Sequence, residues 1–229
     1  MNKGKLYVVA TPIGNLEDIT LRAIDTLKKV PFILAEDTRE SKKLLNRYSI
    51  NTQLISYRDQ NHERIIPKII EKLNMGLNLA LISDNGTPLI SDPGYKLVRE
   101  LREKGYEISS IPGPSAVTSA LSIGGLPTDK FSFLGFLPKS DGRRTDILEE
   151  YLRLENTLVI YESPNRVFKL LSLIEIIDDT ISVCAIRDMT KSRENVYFGS
   201  IKDVIDALKK DDLEKNPHGE WVVLISPKV

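Results

Sequence analysis

Leu79-Ala80-Leu81-Ile82-Ser83-Asp84-Asn85-Gly86-Thr87-Pro88-Leu89-Ile90-Ser91-Asp92-Pro93-Gly94 is the stretch on which the fold turns. Leu79 to Ile82 is a short apolar run, long enough for a buried strand. Asp84, Asn85, Gly86, Pro88, Asp92, Pro93 and Gly94 then fill a loop with turn formers. Leu97, Val98 and Leu101 follow on one side of a helical pattern, with charge on the other. The stretch therefore reads as strand, glycine-containing loop and helix. In open α/β sheets ligands bind where such loops leave the carboxyl ends of strands. Gly86 would let the backbone come close to a ligand, and Pro88 and Pro93 would hold the loop in shape. An ordinary strand-to-helix connection has the same signature.

Working outward, Leu6 to Ala10 is a β-branched apolar run broken by Thr11-Pro12-Ile13-Gly14-Asn15. Asp18 or Thr20 is placed to cap a helix carrying Leu21, Ile24 and Leu27, which Pro31 ends. Phe32 to Ala35 predicts a second strand with Glu36-Asp37-Thr38-Arg39 at its carboxyl end. A short helix over 41–48, a strand over 53–57 and a longer helix over 63–75 follow, the last ended by Gly76. Beyond the quoted stretch, Gly105 stops a helix and Glu107 to Ile111 makes another strand. This alternation argues for an α/β layer with a largely parallel sheet.

Pro112-Gly113-Pro114 is the stiffest punctuation in the chain, and the domain boundary falls there, giving domains 1–112 and 113–229. The small-residue helix Ser115-Ala116-Val117-Thr118-Ser119-Ala120 comes next; its first turn suits a ligand near the backbone or tight core packing equally. The second half predicts strands over 131–136, 157–161, 180–187, 193–198 and 220–226. Helices lie after Arg144, over 167–177, and from Ser200, where Ser200 and Asp203 make a capping-box-like start.

Composition narrows the classes. The 229 residues are 41% apolar and 28% charged, ordinary for a globular protein. Lysine plus arginine equals aspartate plus glutamate at 32 each, so no global basic signature of a nucleic-acid binder exists. A local basic face remains compatible with neutrality. The single cysteine, Cys184, precludes an internal disulfide and a cysteine-rich zinc site, and reads as a buried filler. His62 and His218 lie far apart, which disfavours a histidine metal site, and His62 at a helix start reads as solvent-facing. No metal is expected. No secretory or membrane-spanning segment is recognisable, so the cytoplasm is the expected location and no membrane partner is expected. P-loop, Gly-x-Gly-x-x-Gly and Gly-x-Ser-x-Gly signatures are missing, which disfavours the corresponding nucleotide-binding and hydrolase classes.

Three polar clusters fall at strand ends: Glu36 to Arg39, Asp84 to Asp92, and Glu162-Ser163-Pro164-Asn165-Arg166. Their common position raises the expectation that some line one cleft. Lys139, Arg143 and Arg144 form a basic, turn-prone loop that is either surface charge or a phosphate contact.

Taken in order, five segments resemble a known family: Val9-Ala10-Thr11-Pro12-Ile13-Gly14-Asn15-Leu16-Glu17-Asp18-Ile19-Thr20, Ala35-Glu36-Asp37-Thr38-Arg39, Ser83 to Gly94, Ile111-Pro112-Gly113-Pro114-Ser115-Ala116, and Tyr161-Glu162-Ser163-Pro164. The family is the ribosomal RNA small subunit methyltransferase I branch of the tetrapyrrole (corrin/porphyrin) methylases, also called class III methyltransferases. The resemblance covers nearly the whole chain. It implies two α/β domains with S-adenosylmethionine in the cleft between them, a homodimer, and 2′-O-methylation of a cytidine ribose in the decoding region of 16S rRNA. The implied partner is 16S rRNA or the small ribosomal subunit.

The same resemblance implies residue roles. Pro12 sits where the first strand turns toward the cofactor. Gly86-Thr87-Pro88 matches a Gly-Asp-Pro loop, and Leu89 and Ile90 fall at cofactor-contacting positions. Ser115 and Ala116 match a small pair on the other side, and Gly219 lies in a Lys-Gly-Glu-like motif whose first position is here His218. Asn85 replaces an alanine, Asn165 replaces a histidine, and a short C-terminal segment found in many relatives is missing. A ribose hydroxyl is a weak nucleophile, so a base or a polarising cation would assist it. Glu36, Asp37 and Glu162 are the catalytic candidates, unranked; Arg39, Lys139, Arg143 and Arg144 are the RNA-contacting candidates. Two other functions fit the chain less well: methylation of a tetrapyrrole, and ribosome assembly without catalysis.

Overall fold

The computed structural model describes residues 3–227. The chain forms two compact units, the first ending at Ser115 and the second starting at Ala116.

In the first unit, strands β1 (Leu6–Val9), β2 (Phe32–Ala35), β3 (Gln53–Ser56), β4 (Leu79–Ile82) and β5 (Ile108–Ile111) form one sheet in the order β3-β2-β4-β1-β5. Every pair is parallel. β4 is central and buried along its whole length, which is why it reads as unbroken apolar sequence rather than alternation. Helices α1 (Leu21–Lys29), α2 (Thr38–Arg47), α3 (His62–Asn74) and α4 (Tyr95–Glu103) connect the strands. Thr20 caps α1, its hydroxyl accepting the Ala23 N–H at 3.1 Å.

The core divides by strand face. Val9, Ile33, Ala35, Ala80 and Ile82 pack with Ala23 and Leu27 of α1 and Leu44 and Leu45 of α2. Leu6, Leu34, Leu79 and Leu81 pack with Ile66, Ile69 and Leu73 of α3 and Leu97 and Leu101 of α4. The chain thus moves from β1 toward one edge with its helices on one face. It then moves back from β3 toward the other edge with its helices on the opposite face, as right-handed crossovers require. β1 and β4 are neighbours whose outgoing connections part to opposite faces. The crevice at their carboxyl ends is the topological switch point, the place where open α/β sheets bind ligands.

In the second unit, α5 (Ala116–Ile123), β6 (Phe131–Phe136), α6 (Asp141–Leu152), β7 (Thr157–Glu162), α7 (Pro164–Ile177), β8 (Ser182–Arg187), β9 (Asn195–Ser200), α8 (Ile201–Lys210) and β10 (Trp221–Ser226) follow in order. The sheet order is β6-β7-β10-β8-β9, with β6 and β7 parallel and the remaining pairs antiparallel. Leu158, Ile160, Val183, Ala185, Val223 and Ile225 meet Leu148 of α6, Val167, Leu170 and Leu171 of α7, and Val204 and Leu208 of α8. Cys184 is fully buried, and burial raises its thiol to about 11, so it stays a neutral filler. Among the described residues no helix is long and apolar enough to cross a membrane.

Three helices begin earlier than expected from sequence; α6 takes in Asp141 to Arg144, which read as loop. α2 starts at Thr38 rather than Ser41 because the Asp37 carboxylate caps it, accepting the Arg39 N–H at 2.8 Å. α7 starts at Pro164 rather than Val167, with proline at its first position, where a missing N–H costs nothing.

Candidate active site at the carboxyl ends of the first sheet

The switch point is tied by short backbone bonds. Thr11 N–H donates to Gly86 O at 2.8 Å and Gly86 N–H to Pro12 O at 3.3 Å. The Thr11 hydroxyl, fully buried, lies 3.2 Å from both Ser83 O and Gly86 O. Ser83 Oγ reaches Asn85 O and Gly86 O at 3.3 Å each. Thr87 Oγ1 donates to Pro114 O at 3.0 Å, joining the loop to the turn after β5. Gly86 takes φ +80°, and a Cβ there would sit 3.1 Å from Ile13 Cγ2, so a side chain would both strain the backbone and crowd the β1 loop. Pro12, Gly86 and Thr87 are brought together.

Leu89 and Ser91 also hold positive φ, +73° and +64°. A leucine in this region is uncommon and costs about 1–3 kcal/mol, so the loop is shaped by its surroundings rather than by local preference. The result leaves Leu89 half-buried on the α3–α4 core and Ile90 exposed.

Beside this loop the acidic residues gather. Asp84 Oδ1 accepts the Asp37 N–H at 3.1 Å, linking the ends of β4 and β2. Arg58 donates from Nε to Glu36 O at 3.1 Å and approaches Asp37 Oδ2 at 3.8 Å. Burial, then the charge of Asp84, raises the Glu36 carboxyl, with Arg58 opposing. Burial raises Asp84 likewise, against the stabilising Asp37 N–H. Asp92 is pushed up to about 7, by burial first and then by Glu36. Asp37 moves the other way, held low by the Arg39 N–H it caps. Three carboxyls around one crevice therefore resist simultaneous ionisation. Among the described residues no group of His, Cys, Asp or Glu is placed to hold a metal ion.

The remaining sequence candidates fall elsewhere. Arg39 is exposed on the first turn of α2. Ser115 and Ala116 are half-buried at the start of α5. Gly219 takes φ +85°, and a Cβ there would press on Arg187 Cγ and Asp188 Oδ2 at 2.7 and 2.8 Å. Lys139 and Arg143 are exposed.

Two candidates differ from expectation. The Arg144 residue is only 1% exposed, and its Nε and Nη2 both donate to Pro138 O at 3.2 Å, so it braces the 137–140 turn from inside instead of facing solvent. Glu162 is sealed as well, with a side chain 0% exposed. Its Oε1 accepts the Ser163 N–H at 2.8 Å. Its Oε2 lies 3.2 Å from Arg166 Nη2, too poorly aligned to count as a hydrogen bond. Arg166 in turn donates to Leu137 O at 2.7 Å. A carboxylate closed off this way does not reach a substrate proton; it fastens the start of α7 to the end of β6. His62 is a third correction: it is buried, with Tyr57 and Glu100 as partners, not solvent-facing.

Sequence reading passed over the Thr11–Ser83–Gly86 knot and the protonation of Asp92. Both involve residues inside the motifs quoted above, but the Thr11 bonds span 72 and 75 positions, and Asp92 is raised by burial and by Glu36 of a separate motif.

A parallel five-stranded sheet with a braced glycine loop at its switch point, followed by a mixed-sheet unit, defines an architecture shared with solved enzyme structures. Crystal structures of diphthine synthase (TM-score 0.72, 13% identity, 98% of this chain and 90% of that one) and of cobalt precorrin-4 methyltransferase (TM-score 0.67, 15% identity, 97% and 94%) have the same fold. The profile of the Tetrapyrrole (Corrin/Porphyrin) Methylases matches residues 5–205. Proteins named ribosomal RNA small subunit methyltransferase I from Thermotoga maritima (44% identity, covering 98% of this chain and 99% of the relative), Rickettsia prowazekii (44%, 99% and 80%) and Halalkalibacterium halodurans (45%, 98% and 76%) are similar over almost the whole chain. The chain belongs to the tetrapyrrole methylase family, in its ribosomal RNA small subunit methyltransferase I branch.

The methyl donor of this family is S-adenosylmethionine, and the first unit fits it. A closely approached backbone at Gly86 and an apolar Leu89–Ile90 wall suit a flat, partly apolar ligand. The Glu36, Asp84 and Asp92 carboxyls suit a cationic sulfonium, with Arg58 the cation among them.

Proposed function

We propose that the chain transfers the methyl group of S-adenosylmethionine to the 2′-oxygen of a cytidine ribose in the decoding region of 16S rRNA. The observation that carries this reading is the crevice at the ends of β1 and β4, where the family's loop motif and the acidic cluster meet. The named relatives supply the substrate class. In this reading Pro12, Gly86, Thr87, Leu89, Ile90, Ser115, Ala116 and Gly219 hold the donor. When bound, the donor supplies an electrophilic methyl group, so the chain needs only to exclude water, align the attacking oxygen and take its proton. Glu36 ranks first among the sequence candidates for the proton. Burial and Asp84 raise it toward a useful range, whereas Asp37 is held low by its capping bond. Asp84 and Asp92 share the proton load. Arg39, Lys139 and Arg143 meet RNA phosphates. The protein acts in the cytoplasm as a homodimer on rRNA or the small subunit.

The test is mass spectrometry of 16S rRNA after deletion and complementation. Loss of one cytidine ribose methyl on deletion, its return with the wild-type chain, and a roughly 10²- to 10⁴-fold slower return with Glu36→Gln support the reading. An unchanged methylation pattern on deletion refutes it.

A further inference from the structure

Gly94 ends the donor loop and opens α4, and its N–H donates to Asp59 Oδ1 at 3.2 Å. Asp59, in the turn after β3, also lies 3.3 Å from the Tyr57 hydroxyl. That hydroxyl is 3.0 Å from His62 Nδ1, and His62 Nε2 is 2.8 Å from Glu100 Oε2. Glu100 belongs to α4 as well. Gly94, Asp59, Tyr57, His62 and Glu100 thus form a chain of hydrogen bonds that leaves α4 at its start and returns to it in its second turn. Tyr57 is 1% exposed and its ring meets the imidazole edge-on, at 90° and 6.1 Å between centroids. The centre of the chain, Tyr57 and His62, is buried and the flanking Asp59 and Glu100 are half-buried, so a bond lost at the centre leaves a buried polar group unpaired.

We propose that Tyr57 and His62 are positioning residues for the methyl-donor loop, acting through Asp59 on Gly94. This rests on the reading of that loop as the donor site. The consequence of losing the chain follows from the packing. Gly94 sits at φ +131° with its α-carbon facing Leu81 and Leu89, where a Cβ would meet Leu89 Cδ1 at 3.0 Å. The position of Gly94 therefore limits the room beside Leu89, a donor-contacting residue in that reading. The Tyr57 hydroxyl donates to Asp59 Oδ1 while its oxygen faces His62 Nδ1, so this one group links the His62–Glu100 pair to the carboxylate that holds the Gly94 N–H.

The test uses the full chain with Tyr57→Phe and His62→Gln. It reads S-adenosylmethionine affinity by calorimetry and amide exchange at Gly94 and at Leu81 in the middle of β4. Leu89→Arg is the control for the donor site. The expected result is about three- to tenfold weaker donor binding in Tyr57→Phe, the size of one lost hydrogen bond. Gly94 should exchange faster while Leu81 keeps its wild-type protection. His62→Gln, whose amide can bond both neighbours, should lie between Tyr57→Phe and wild type. Equal loss of protection at Leu81 and Gly94 means a merely structural role and overturns the proposal. Wild-type affinity and wild-type Gly94 exchange in Tyr57→Phe also overturn it, provided Leu89→Arg abolishes binding. If Leu89→Arg binds the donor normally, the failure belongs to the donor-site reading instead.

Discussion

Replacing Gly94 by alanine isolates what the end of the donor loop requires. The φ of +131° is outside the regions an L-residue occupies readily, at about 1–3 kcal/mol. The new Cβ would lie 2.9 Å from Leu81 Cδ2 and 3.0 Å from Leu89 Cδ1. Leu81 is held in the centre of the sheet, so the loop must give way, and overpacking of this kind costs about 1–3 kcal/mol. Lower entropy of the unfolded alanine chain returns about 0.4–1 kcal/mol. The net is about 1–6 kcal/mol of destabilisation. Gly105 supplies the control: its φ is +72°, yet nothing lies within 4 Å of a Cβ there. Gly105→Ala should therefore cost only about 1 kcal/mol, the left-handed strain less the entropy returned. Trp221 belongs to the second unit, so its fluorescence does not report on the first. Exchange of the Leu81 amide as urea is raised is the suitable assay. Donor affinity should fall in Gly94→Ala and hold in Gly105→Ala. Equal destabilisation by the two substitutions would refute the packing argument.

The proton on Asp92 gives a signed pH effect. Its folded pKa of about 7 is above the ordinary aspartate value of 3.8, so the native state holds this proton more tightly than the unfolded chain. The associated stability is complete below about pH 4 and is lost as pH rises through about 7. Thermal midpoints of wild type should fall across that window, and Asp92→Asn should flatten the slope and melt higher at pH 8; parallel slopes would disprove the assignment. Arg144→Ala should destabilise the second unit by about 2–4 kcal/mol, through lost volume and the loss of two of the three hydrogen bonds to the Pro138 carbonyl, as measured by urea titration of Trp221 fluorescence. Lys139→Ala and Arg143→Ala should stay within about 0.5 kcal/mol of wild type, yet each should lower the salt dependence of RNA binding by about one phosphate contact in filter-binding titrations. An unchanged salt slope would remove those two residues from the RNA face.

Much of the first unit is legible along the chain because its signals are local. Parallel strands buried on both faces make unbroken apolar runs, and each is followed by its own turn chemistry and helix, as at Leu79–Gly94. The Ser200 cap was readable because capping is a contact three residues long; its Oγ accepts the Asp203 N–H at 3.2 Å. The true start of α2 was hidden because Asp37 and Arg39 read as a charged turn until the carboxylate is seen to accept the Arg39 N–H.

The chemistry of the polar residues was not legible in the same way. Glu36, Asp37 and Glu162 are three similar acids at three similar strand ends. Sequence could assign them to one class and no further. Burial beside Asp84 raises the first, a capping bond lowers the second, and complete enclosure with Arg166 removes the third from any substrate. Arg143 and Arg144 are adjacent in one basic run, yet one faces water and the other lies beneath a turn. By itself the sequence determined the strands, the loops that follow them and the family they belong to, because those depend on residue type at short spacing. Tertiary structure alone decided which carboxyl keeps a proton, which arginine is buried and how His62 is tied to Gly94. Those properties depend on desolvation and on partners brought together from distant parts of the chain.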